Sequence, residues 1–153
     1  MKTWELLCIV SSSLMAALFS GPWSALSKSF KSFHPKLFVG IVSHMNRTIA
    51  PAVTVLMPIS VLSLIPILIG SRGAGPVVFC LNTVALALNV LSLIIVVVFE
   101  VPVVNEIVAW TSSSIPENWQ QRRDHWIAVH KTRVFTGLAS LLSLVIAALI
   151  FEL

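Results

Sequence analysis

With 153 residues, 57% of them hydrophobic and 10% charged, the chain has too little charge to coat a water-facing globule, which typically carries about 25% charged residues. It also has too much Leu, Ile and Val to stay disordered. The ten Lys and Arg give a net charge of +4, but they are scattered between long apolar runs, which argues against a nucleic-acid-binding face. What remains is an all-α integral membrane protein of one domain.

A spanning helix needs about 20 mostly apolar residues, and four segments qualify: 5–26, 49–69, 77–99 and 134–151. These predict a four-transmembrane-helix bundle. The first segment has Lys2 in front and small residues late in the run, as a signal peptide does. Its apolar stretch is longer than a signal core, and Trp4 and Trp23 stand near its ends like interfacial anchors. It reads as a retained helix. Cys8 and Cys80 have no ligand or redox spacing around them and read as apolar thiols.

The second span carries Pro51, Pro58 and Pro66, each of which removes a backbone bond and favours a kink. The short turn 70–76 makes spans two and three antiparallel neighbours. Asn82 and Asn89 share one face of span three, and Glu100 falls on it too if the helix stays regular. Amides in lipid should point into the bundle, as interhelical ties or as functional groups. Thr136, Gly137, Ser140 and Ser143 on span four read as close-packing positions that also permit a homo-oligomer.

Seven of the ten basic residues lie in the connections 27–48 and 101–132, and an eighth, Arg133, borders the second. The positive-inside rule therefore puts both connections in the cytosol and both termini outside. The sequon Asn46-Arg47-Thr48 would then escape glycosylation. Pro116 suits a helix start with Ser114 as a cap, so the fourth helix should extend well into the cytosol before its span begins.

On that helix Trp119, Arg123, Trp126, His130 and Arg133 share an arc of about 80° at 100° per residue. Span two offers His44, Arg47, Pro51, Thr54 and Pro58 on one face. His44, Arg47, His130, Arg133 and Glu100 would thus meet near one membrane boundary. Plainer readings stand beside this one. Trp119 and Trp126 are also suited to interface anchoring, Arg122, Arg123 and Lys131 to binding lipid phosphates, and Glu100 with Arg133 to a structural ion pair. Two histidines and a carboxylate match a non-haem iron set in type, but no spacing supports it, so no metal is expected.

The run Val101-Pro102-Val103-Val104-Asn105, followed by Trp110, Trp119, Arg122 or Arg123, Trp126, His130 and Arg133, resembles the signature of small four-helix membrane proteins that include the fungal anthrone oxygenases. The segments Met45-Asn46-Arg47 and Met57-Pro58 also fit, so the resemblance covers most of the chain. Glu100 and His44 have no assigned place in that pattern. The resemblance implies oxidation of an aromatic polyketide anthrone to an anthraquinone by O₂ as co-substrate, without metal or flavin.

In that reading His130 is the base, Arg133 and Arg47 hold the developing oxyanion, and Asn105 orients a phenol. Trp126 and Trp119 wall a lipophilic aromatic substrate, and Glu100, His44 and Arg123 complete the polar lining. The competing class is a non-catalytic membrane subunit, or a binder of lipid or quinone, with the same polar belt holding helices and headgroups.

Overall fold

The computed structural model describes residues 2–111 and 113–152. It is all-helical: α1 (Lys2–Leu26), α2 (Pro35–Gly70), α3 (Pro76–Ile94), α4 (Val101–Ala109) and α5 (Trp119–Glu152). A wide π turn over Ile95–Glu100 joins α3 to α4 in one continuous rod. Pro102 explains the turn. Its ring clashes with the carbonyl four residues back and it has no N–H to donate, so the preceding backbone widens. Four helices are long and apolar enough to cross a membrane, counting α3 and α4 as one. They pack in the cyclic order α1, α2, α3, α5, with α5 returning to α1.

The outer surface of the bundle is apolar. Leu62, Leu142 and Leu149 are each about three-fifths exposed, and Val97 and Val98 nearly as much. A water-soluble bundle would carry charge at such positions; exposed apolar side chains here fit helices long and apolar enough to cross a membrane.

Helices α2 and α5 far outrun a hydrocarbon core, which is about 30 Å thick. At 1.5 Å per residue α2 is about 54 Å long and α5 about 51 Å. The excess lies at one end. The sequence predicts α2 from about residue 49, yet it starts at Pro35. The residues expected to form long connections are mostly helix. The chain between α1 and α2 is residues 27–34 with a short 3₁₀ turn at Phe30–Ser32, and that between α4 and α5 is 110–118; Ser112 lies outside the described residues. Helix α5 begins at Trp119 rather than at Pro116. The reason is amphipathicity. Phe38, Val42, Val103, Ile107 and Trp126 sit at helical spacing, while Lys36, Ser43, His44, Asn105, Glu106, Asp124 and His125 in the same stretches lower the mean hydropathy as the helix continues. Together with Phe30 they bury an apolar head cluster.

A second cluster, Met15, Phe19, Met57, Val96 and Val134, fills the middle of the bundle, and a third, with Cys8, Leu64, Ile67, Ala85 and Leu144, its far end. The three prolines of α2 do not interrupt it. The tight turn after α2 requires Gly75, whose φ of 100° suits glycine.

The buried polar residues tie helices together. Asn89 Nδ2 donates to Ser60 Oγ at 2.7 Å, and Ser60 Oγ bonds Ser12 Oγ at 2.8 Å, which links α3, α2 and α1. Ser140 Oγ donates to the Ala85 carbonyl at 2.7 Å. That position of the α5 small-residue stripe therefore serves the α3–α5 contact inside the chain. Replacing Ser60 by Ala should strand Ser12 and Asn89 together and destabilise the bundle by about 1–2 kcal/mol. An unfolding midpoint in detergent micelles equal to wild type would show that the network contributes nothing.

Candidate functional site

The site is built where α3 passes into α4 beside α5. Glu100 ends the π turn, and its side chain is buried. The sequence reading placed Glu100 on the asparagine face only for a regular helix. The helix is not regular there, and Glu100 points inward all the same. His130 and Arg133, one turn apart on α5, are also buried.

These three side chains form one unit. His130 Nδ1 lies 2.9 Å from Glu100 Oε1. Arg133 Nη1 meets Glu100 Oε2 as an ion pair without hydrogen-bond alignment. Arg133 Nη2 also lies 3.0 Å from His130 Nδ1. One ring nitrogen cannot both donate to the carboxylate and accept from the guanidinium. With Glu100 as the carboxylate that Arg133 neutralises, only a protonated Nδ1 satisfies Oε1. The network thus assigns the Nδ1–H tautomer to neutral His130 and leaves the lone pair on Nε2.

Aromatic rings surround the unit. The Trp126 indole stacks on His130 at 5.2 Å between centroids, and Trp23 lies 5.5 Å from the same imidazole. The Arg133 guanidinium sits 3.6 Å over the Phe19 ring, a cation–π contact that supports a desolvated charge. Besides Glu100 Oε2, which meets Arg133 only as an ion pair, three polar atoms here are enclosed and lack a hydrogen-bond partner among the described residues: Trp126 Nε1, His130 Nε2 and Arg133 Nε. Buried polar groups are nearly always paired, so such a cluster calls for a partner from outside the chain.

A cavity of about 160 Å³ adjoins the unit. Of the residues nominated from sequence, Glu100, Asn105, Trp126, His130 and Arg133 line it. Asn105 is exposed and stands on the rim. Four others do not line it. His44 and Arg47 are exposed, and so are Pro51, Thr54 and Pro58, the residues expected on their face of α2. They do share a face, but it is the outward one, and of the five only Thr54 reaches the edge of the cavity. The inward stripe of α2 runs through Phe38, Val42 and Met57, because apolar side chains there bury more area. Met45, Asn46 and Ile49 take the place at the cavity expected for His44 and Arg47.

Trp119 and Arg123 belong to the head instead. Trp119 packs against Phe38 at 6.2 Å, and Arg123 lies over its ring at 5.1 Å. Arg123 Nη1 donates to the Lys31 carbonyl at 3.1 Å, and its Nε donates to Asp124 at 3.0 Å. Arg123 therefore clamps the 27–34 connection onto α5.

Phe19, Trp23 and Asn46 escaped the sequence reading. Phe19 and Trp23 sit in the first span, where any aromatic passes for core or an interface anchor. Asn46 was legible in a sequon and in the Met45-Asn46-Arg47 segment of the resemblance, but was given no role at the site. Among the described residues no three His, Cys, Asp or Glu side chains converge as a metal-ligand set. The two-histidine, one-carboxylate set is not assembled, since His44 faces away. Comparison with known protein families, with curated proteins and with solved structures returned no match to this chain.

Proposed function

We propose that this protein is a membrane-embedded oxygenase that oxidises a lipophilic aromatic, anthrone-like substrate with O₂ and needs no bound cofactor. The observation that carries the reading is the Glu100–His130 hydrogen bond beside an aromatic-walled cavity. A carboxylate on Nδ1 orients the imidazole and leaves Nε2 as the nitrogen that can take a proton. That is the role of the orienting carboxylate in hydrolase triads. Ionisable side chains at membrane depth are costly, and they are kept where they do chemistry.

The reaction follows from the substrate class. An anthrone carries an acidic CH₂ opposite a ring carbonyl. His130 Nε2 takes one of its protons and leaves a delocalised carbanion. The carbanion gives one electron to O₂, and the resulting radical and superoxide combine to a peroxide anion. The imidazolium returns its proton to give a hydroperoxide. Loss of water from the hydroperoxide leaves the quinone carbonyl, so CH₂ and O₂ become C=O and H₂O. Arg133 Nε and Trp126 Nε1 are free donors for the enolate oxygen. Nε2 has no free surface, so a substrate reaches it only with a shift of the neighbouring rings.

Size constrains the pose. About 150 Å³ encloses one benzene ring, close to the 160 Å³ of this cavity. A tricyclic substrate therefore seats one ring inside and leaves the rest in the opening. Purified protein in nanodiscs should convert anthrone to anthraquinone with uptake of one O₂ per product. Saturable binding without turnover would replace the oxygenase with the lipid- or quinone-binding reading.

The head end, which holds the apolar cluster and eight of the ten Lys and Arg, is the cytosolic one in this reading, with both termini across the membrane. Cysteines placed at Ser32 and Ser113 should resist an impermeant thiol reagent in intact cells and react after permeabilisation. Labelling of either in intact cells would reverse the orientation.

A further inference from the structure

We propose that the Glu100–His130–Arg133 cavity is filled sideways, through the seam between α2 and α4, by aromatic molecules dissolved in the bilayer. The identity of the cargo rests on the oxygenase reading; the route rests on the shape of the bundle alone.

The cavity is closed at both ends along the bundle. Val42 and Trp126 line it toward the head, and both belong to the buried head cluster. They are 1% and 2% exposed. Phe19 and Val96 line it toward the middle, and both belong to the mid-bundle cluster. Buried side chains thus stand at both ends. The exposed lining residues are confined to one side: Thr54 on α2, and Val101 and Asn105 on α4.

The surface around that mouth is apolar. Val55 lies next to Thr54, Val97 and Val98 lie one turn before Val101, and all three are more than half exposed. Thr54 lies within the apolar run of the second span, and Val101 lies two residues past that of the third, just beyond Glu100. A charged solute approaching there would have to leave water before meeting a partner. A lipophilic ring already partitioned into the acyl chains pays no such penalty. The enclosed donors and the His130 lone pair then select, among lipid-dissolved rings, those bearing a carbonyl across the ring from an acidic hydrogen.

The test reads access and not turnover. Cys80→Ser removes the exposed native thiol, and Cys8 is fully buried. In that background Val104→Cys places a thiol on the cavity wall and Ser113→Cys places one on the exposed connection. Each is treated in nanodiscs with N-phenylmaleimide, a neutral single-ring reagent, and with a charged sulfonatoethyl methanethiosulfonate. The rate ratio of neutral to charged reagent should be at least about tenfold higher at Val104→Cys than at Ser113→Cys, a barrier difference of about 1.4 kcal/mol. Adding Thr54→Phe should slow the neutral reagent at Val104→Cys severalfold and leave Ser113→Cys unchanged. Equal ratios at the two thiols, or no effect of Thr54→Phe, would overturn the lateral route. Ala50→Cys, on the same wall, repeats the measurement if Val104→Cys misfolds. Failure of anthrone turnover with these access results intact removes the oxygenase and leaves the portal. The converse result leaves the chemistry and removes the portal.

Discussion

Glu100→Leu should be the most destabilising single substitution in this chain, by about 3–5 kcal/mol. The carboxylate neutralises Arg133, and both side chains are more than nine-tenths buried. Removing it leaves a guanidinium without a counter-charge against the Phe19 ring, and strands the Nδ1–H of His130. Lost yield and a lowered unfolding midpoint in detergent would report this. The compensating double variant separates charge from shape. Glu100→Leu with Arg133→Met removes both charges together and should recover most of the midpoint, since matched apolar replacement of a buried pair is often neutral or better. Activity should not return, because His130 has lost its orienting carboxylate. If the single variant is as stable as wild type, the ion pair is not the organising contact of this site.

His130→Gln should have the largest effect on catalysis with little effect on the fold. Glutamine has a similar reach, and its amide N–H donates to Glu100 Oε1 in place of Nδ1–H. What it lacks is a base. General-base removal lowers turnover by about 10²–10⁴-fold, with binding of anthrone retained. Quenching of tryptophan fluorescence, for which the stacked Trp126 is a local reporter, measures that binding separately from quinone formation. Turnover at the wild-type rate in this variant would take His130 out of the chemistry, even with the cavity intact.

The contrast between His130 and His44 shows where sequence reasoning about this protein stops. Both were legible as histidines near a membrane boundary. The stripe Trp126, His130, Arg133 on α5 is buried, in line with a reading that rested on its composition of aromatic and cationic side chains as well as on the helix wheel. The α2 face carrying His44 and Arg47 was equally regular and faces outward. Periodicity says which residues share a face. It does not say which face meets the core when each face has a pattern. Neighbouring helices decided that, by burying Phe38, Val42 and Met57.

By itself the sequence determined that four segments are apolar and long enough to cross a bilayer, that two of the spans are joined by a short turn, and that Glu100 needs a cationic partner. These follow from local hydropathy, chain length and the expense of a lone buried charge, none of which needs a fold. The tertiary structure decided the rest. It showed the amphipathic ends of α2, α4 and α5 to be helix packed around Phe30. It gave Glu100 the imidazole as well as the guanidinium, and brought Phe19 and Trp23 from the first span against them. These are contacts between residues some thirty to more than a hundred positions apart. Such contacts arise from packing, and no local pattern in the chain encodes which partner each side chain will meet.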